Sequence, residues 1–122
     1  MEWGEKKEIW RYTNVEKKFV VEVHKWERCE RIHWNKYLYL YPGHPEFGKY
    51  LAAKNGHYPE TPWEWNHGLT YYFGSYDRDG KLKFQEFGDD YSHVWDDQNP
   101  VDSEGTRVFA DAERLINKLE EE

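Results

Sequence analysis

The sequence predicts an α+β domain: a meander-like antiparallel sheet of about five strands, a short helix after the third strand, and one C-terminal helix packed on a face. Three observations predict it. Apolar and polar residues alternate in the early segments, an Asp-Gly turn joins two later ones, and the final segment switches to a 3.6-residue apolar period.

Glu8–Thr13 and Lys18–Trp26 read as the first two strands. In the second, Phe19, Val21 and Val23 make one apolar face, while Val20, Glu22 and His24 make a mixed one. Arg31–Tyr41 is the third: Tyr37-Leu38-Tyr39-Leu40-Tyr41 favours extended backbone, and Pro42-Gly43 ends it. Glu46–Lys54 reads as the short helix, stopped by Asn55-Gly56. The Pro- and Trp-rich loop from Tyr58 to Trp65 either packs on the body or forms a binding lip. Leu69–Tyr76 and Lys81–Phe87 are joined by Asp77-Arg78-Asp79-Gly80, where Gly80 is free to take positive φ, and the chain after Phe87 reads as irregular. In the last segment Val108, Phe109, Ala112, Leu115, Ile116 and Leu119 share one helical stripe. Asp102 or Ser103 is placed to cap its start, and Glu120-Glu121-Glu122 opposes the helix dipole at its end.

No repeat, low-complexity tract or linker divides the 122 residues, so 1–122 reads as a single domain. Aliphatic material is short, and aromatics at 19% of the chain offset this, because each ring buries roughly 150–250 Å². A disordered chain is poor in such rings. The net charge of −7, with basic residues scattered, argues against binding a phosphate backbone and suits solubility or a basic protein partner. Cys29 is the only cysteine, so no intrachain disulfide forms, and it is expected to be a partly buried small apolar residue. The first eight residues are charged and the longest apolar stretch, Tyr37 to Pro42, is short. A cytoplasmic protein with no membrane partner is therefore expected.

Three blocks carry residues suited to chemistry. Gly43-His44-Pro45 follows a strand, and the prolines around His44 stiffen the backbone that aims its ring. His67-Gly68-Leu69-Thr70 opens the fourth strand, and Asp90, His93 and Asp96 follow the fifth. Antiparallel pairing brings the start of one strand of that hairpin beside the end of the other, so His67 is expected near Asp90 and His93. Such a cluster can hold a divalent metal, for which His67, Asp90, His93 and Asp96 are the candidate ligands. It can equally do acid–base work through His44, His67 or His93, or bind a polar ligand. The competing readings make His44 a turn residue, His67 a strand-end residue bonded to backbone, and Asp90 and Asp96 solvated caps. His24, His33 and His57 are read as surface or packing residues. No His-Glu-x-x-His spacing or second cysteine marks a zinc site.

These blocks, in this order, resemble those of a family of small phage and prophage proteins of no established activity. The family pattern is Gly-His-Pro-x-(Phe/Tyr)-Gly-Lys, then His-Gly-Gly-(Leu/Ile)-Thr-(Tyr/Phe), then Phe-Gly-Phe-Asp-Cys-Ala-His-x-x-Asp, then a closing helix. Gly43-His44-Pro45-Glu46-Phe47-Gly48-Lys49 fits the first block, and His67-Gly68-Leu69-Thr70-Tyr71 fits the second with one glycine missing. Phe87-Gly88, Asp90, His93 and Asp96 fit the third, where Asp89, Tyr91, Ser92 and Trp95 replace the usual residues. The resemblance spans about Trp34 to Leu119. It implies a viral origin, the host cytoplasm as location, and a site at His44, His67, Asp90, His93 and Asp96.

Small phage proteins of this kind suggest a counter-defence role: sequestering a nucleotide-derived signal. The expected ligand-binding residues are His44, Lys49, Trp63, Trp65, His67, Thr70, Tyr72, Asp90, His93 and Asp96, with tryptophans stacking a base and His or Lys49 meeting phosphate. The alternatives are a hydrolase or phosphodiesterase using the same His/Asp cluster, and an acidic inhibitor that binds a host protein. Oligomeric state leaves no mark in the sequence.

Overall fold

The computed structural model describes residues 6–28, 30–52, 57–92, 96 and 98–122. Five strands, β1 (Lys6–Asn14), β2 (Phe19–Arg28), β3 (Arg31–Leu40), β4 (Tyr71–Tyr76) and β5 (Leu82–Asp90), precede helix α1 (Thr106–Glu120). They form one antiparallel sheet in the order β1-β2-β3-β5-β4. The meander holds through β1, β2 and β3, and the closing hairpin docks with β5 inside. Gly88, Asp89 and Asp90 therefore belong to the ladder, although the sequence there reads as irregular. Asn35, Lys36 and Tyr37 of β3 supply their pairing partners.

Register explains which residues are inside. Val21, Leu38 and Phe87 lie in one line across the sheet, and Val23, Lys36 and Asp89 in the next. Helix α1 covers this face through Val108, Ala112, Leu115 and Leu119, packing over β2 and β3. Phe19, Leu38, Leu40, Phe87, Val108 and Leu119 are fully enclosed there. At Gly105, before α1, φ is +69° and an added Cβ would meet the Trp34 ring at 2.5 Å, so backbone and indole are in direct contact. That glycine takes the N-cap position expected for Asp102 or Ser103. Asp102 instead acts from three residues upstream, accepting the backbone N–H (2.8 Å) and hydroxyl (2.6 Å) of Thr106.

The short helix expected over Glu46–Lys54 does not form within its described part, residues 46–52. Single turns replace it: the N–H of His44 reaches Tyr41 O, that of Phe47 reaches His44 O, and that of Lys49 reaches Glu46 O. Two features prevent propagation. Gly48 sits at φ +80°, and its N–H is diverted to the buried Gln85 side chain at 2.8 Å. Gln85 also donates to Tyr50 O and to the Tyr72 hydroxyl, tying this segment to β5 and β4. The Asp77–Gly80 turn is as expected, with Gly80 at φ +79° and Asp77 Oδ1 accepting the N–H groups of Asp79 and Lys81. No helix among the described residues is long and apolar enough to cross a membrane.

Candidate functional site

Lys36 occupies an apolar position of β3, between Trp34 and Leu38, and its alternation with them forces it into the interior. Its partner across the register is Asp89. The ammonium and carboxylate meet at 3.1 Å with side chains 1% and 0% exposed. Burial pushes the Asp89 carboxyl up, against the opposing effects of Lys36 and the Asn66 N–H.

Asn66 joins the loop before β4 to this pair. Its N–H donates to Asp89 Oδ2 at 2.6 Å, and its side-chain amide donates to Asp90 O (2.9 Å) and to Asp96 Oδ2 (3.0 Å). Asp96, 3% exposed, also accepts from Arg107 Nη2 at 2.6 Å. Two left-handed residues, His67 (φ +56°) and Gly68 (φ +95°), then turn the chain into β4, where the Thr70 N–H reaches Gly88 O. The segments before β4 and after β5 thus converge as antiparallel pairing requires, and Asn66 makes the junction.

The same loop lays two indoles over β5. Trp63 is buried edge-on against Phe87 (5.8 Å between centroids) and Tyr50 (5.5 Å). Its Nε1–H donates to Glu122. Trp65 stacks parallel to Phe87, donates Nε1–H to Thr61, and has the Lys36 ammonium 5.4 Å from its centroid.

Between this loop and α1 lies a cavity of about 710 Å³. Trp63, Trp65, Asn66, His67 and Lys36 line one side, and Arg107, Asp111, Arg114 and Lys118 the other. Its cations differ in freedom. Lys36 and Arg107 are committed to the buried Asp89 and Asp96. Arg114 pairs with Asp111 at the surface, where such a pair contributes little, and Lys118 is exposed at the end of α1. The buried Tyr91 supports this wall from behind, donating its hydroxyl to Asp111 at 2.6 Å. Burial and the Asp89 and Asp111 carboxylates push its ionisation far up, so it remains a donor.

Of the sequence-derived candidates, Trp63, Trp65 and His67 line this cavity, and Asp96 stands behind it through Asn66 and Arg107. Asp90 contributes its backbone carbonyl, while its carboxylate receives the Ser92 N–H. Tyr72 packs beneath Phe87 and Thr70 holds the strand entry. Lys49 is exposed beside Glu46 at 3.6 Å and is not a lining residue. His93 lies outside the described residues. Among the described residues, no three His, Cys, Asp or Glu side chains are grouped to hold a metal ion.

His44 also stands apart from the cavity lining. Its ring packs edge-on against Phe19 at 5.9 Å, and its Nδ1 accepts the Glu46 N–H at 3.0 Å, the turn-residue arrangement. Nε2 is buried without a hydrogen-bond partner. Burial depresses the His44 pKa, with Glu46 opposing and Lys17 and Lys49 reinforcing the shift. The unfolded chain therefore takes up a proton near the ordinary histidine value of 6.5 that the fold resists. Stability contributed by neutral His44 is present above that value and is lost as pH falls below it toward the depressed one. Urea denaturation between pH 7.5 and 5.5 should show His44→Asn losing less stability than the wild type over this interval. The difference is bounded by about 1.4 kcal/mol per pH unit for one proton.

The cationic wall is what the sequence reading lacked. Arg107, Asp111, Arg114 and Lys118 recur at helical spacing beside the apolar stripe, and Lys36 interrupts an apolar alternation. Comparison with protein-family models, curated proteins and solved structures finds no match for this chain.

Proposed function

We propose that the protein is a small phage-type ligand-binding domain that sequesters a nucleotide-derived anion, in keeping with a counter-defence role. The observation that supports this reading is the pairing of an indole wall, Trp63 and Trp65, with a helix wall carrying Arg114 and Lys118. A planar base is matched by the half-buried Trp65 indole, with the buried Trp63 beside it, and phosphate by the two cations that are not locked in buried pairs. The cavity size is in the range of small-ligand sites, roughly 300–1,000 Å³. Overall acidity does not oppose this, since a pocket needs only local donors.

The second reading, a hydrolase or phosphodiesterase, draws on His67, a lining residue of the same cavity. One experiment separates them. The protein is incubated with ADP-ribose or a cyclic dinucleotide, freed of unbound probe, heat-denatured, and the supernatant chromatographed. Intact probe supports sequestration and a new product supports catalysis. Retention should weaken about fivefold or more in Trp65→Ala, since one base–aromatic stack is worth ~1–3 kcal/mol. Retention equal to the wild type in that variant would overturn the assignment of this cavity.

A further inference from the structure

The sheet face away from α1 has no covering element among the described residues. In an antiparallel sheet with one wet face, that face is ordinarily polar. Here the register lines up Val20, Tyr39, Glu86 and Phe73 in one row, and Arg11, Glu22, Tyr37, Gly88 and Tyr71 in the next. Phe84 joins the same surface, near Phe73 at 6.3 Å. Phe73 is 47% and Tyr71 38% exposed. Contiguous exposed aromatic surface of this kind is characteristic of interaction sites.

The surface is also fixed in place. The Tyr37 ring lies on Gly88, where an added Cβ would come within 2.7 Å of it, and Tyr71 meets Tyr37 edge-on at 5.9 Å. Tyr71 donates its hydroxyl to Glu86 at 2.9 Å, and Tyr39 donates to Glu22 at 3.2 Å. Ordering these rings on binding would carry little entropic cost.

Its charge indicates the partner. Glu22 is balanced by Arg11 at 2.6 Å and hydrogen-bonded to His24 Nε2 at 2.8 Å. Glu86 is held by a tyrosine hydroxyl and by no cation among the described residues. Burial, then Glu86 at Tyr37 and Tyr71 and Glu22 ahead of Glu86 at Tyr39 and Tyr41, raises these four tyrosines, which reflects a negative local field over the rings. We propose that this open face docks an arginine-rich segment of a protein partner, with guanidinium groups lying on the tyrosine rings and pairing with Glu86. Single-stranded nucleic acid would also stack on such a platform, but it would bring phosphates toward the carboxylates. This face is separate from the cavity, and the inference does not depend on the nucleotide reading.

The test is a titration of the folded protein with fluorescent nona-arginine and, separately, with an oligo-thymidine strand. Because a chain of charge −7 attracts any polycation, Glu60→Lys in the exposed loop serves as a charge-matched control. Glu86→Lys and Tyr71→Ala are each expected to weaken peptide binding about tenfold. Glu60→Lys and Trp65→Ala are expected to change it less than about twofold. Glu86→Gln, which keeps an acceptor for Tyr71, should fall with Glu86→Lys, so the loss does not depend on a disturbed fold. Equal loss in Glu60→Lys and Glu86→Lys would overturn the proposal as nonspecific attraction. Tight binding of the oligo-thymidine on this face would overturn it in favour of nucleic acid.

Discussion

Lys36→Ala is expected to lower stability by about 3–5 kcal/mol, because it strands the Asp89 carboxylate in the interior without its cation. A domain of this size has only about 5–15 kcal/mol to lose, so the variant should be close to unfolding at room temperature. The loss should also depend on pH. With Lys36 absent, burial of Asp89 is opposed by the Asn66 N–H but no longer by the ammonium, and its folded pKa rises further above the unfolded value. Protonated Asp89 then favours the fold, a contribution present below the unfolded carboxylate pKa and lost as pH rises through the folded one. Urea denaturation should therefore find Lys36→Ala less damaged in mild acid than at neutral pH. Replacing both partners, Lys36→Met with Asp89→Asn, should restore most of the stability, since no buried charge is left and the amide oxygen can still accept the Asn66 N–H. A neutral-pH loss below about 1 kcal/mol in the single variant would contradict the buried pair.

Phe87→Ala is expected to cost a similar amount, about 3–5 kcal/mol, through the cavity that a fully enclosed phenyl ring leaves. Its second effect reaches the site. Phe87 supports Trp63, Trp65 and Tyr72 at centroid distances of 5.8, 6.4 and 5.1 Å. Removing it takes away the surface on which the aromatic loop rests, so ligand retention should fall with stability. Phe87→Leu keeps most of the volume, should be milder on both counts, and separates loss of packing from loss of fold. Calorimetric unfolding and probe retention on the same samples provide the comparison.

The two kinds of order in this molecule differ in how far the sequence reveals them. Strands and helix were legible because burial imposes a period: two along Phe19-Val21-Val23 and near 3.6 from Val108 to Leu119. The expectation of a helix after β3 failed because its local signals are overridden from a distance. Gln85, nearly forty residues later, takes the Gly48 N–H that a helix would have used internally. β5 extended past Phe87 for a related reason: Gly88-Asp89-Asp90 has weak strand preference by itself, but Tyr37 needs a glycine beneath it and Lys36 needs a carboxylate opposite. The convergence of the loops before β4 and after β5 was readable from hairpin geometry alone. Its chemistry was not. Among the described residues Asn66 ties the two segments together, and the cationic wall belongs to a helix whose polar residues look like ordinary solvated charge until the aromatic loop is placed opposite them.

Indole N–H chemical-shift mapping during titration with ADP-ribose or a cyclic dinucleotide tests the cavity most directly. The Trp63 and Trp65 resonances should move together with amides of the last two turns of α1, while Trp10 and Trp26, on β1 and β2, stay fixed. Shifts centred on the His44 turn, or none among these two indoles at saturating probe, would contradict the claim that a stacked anion sits between the aromatic loop and the helix.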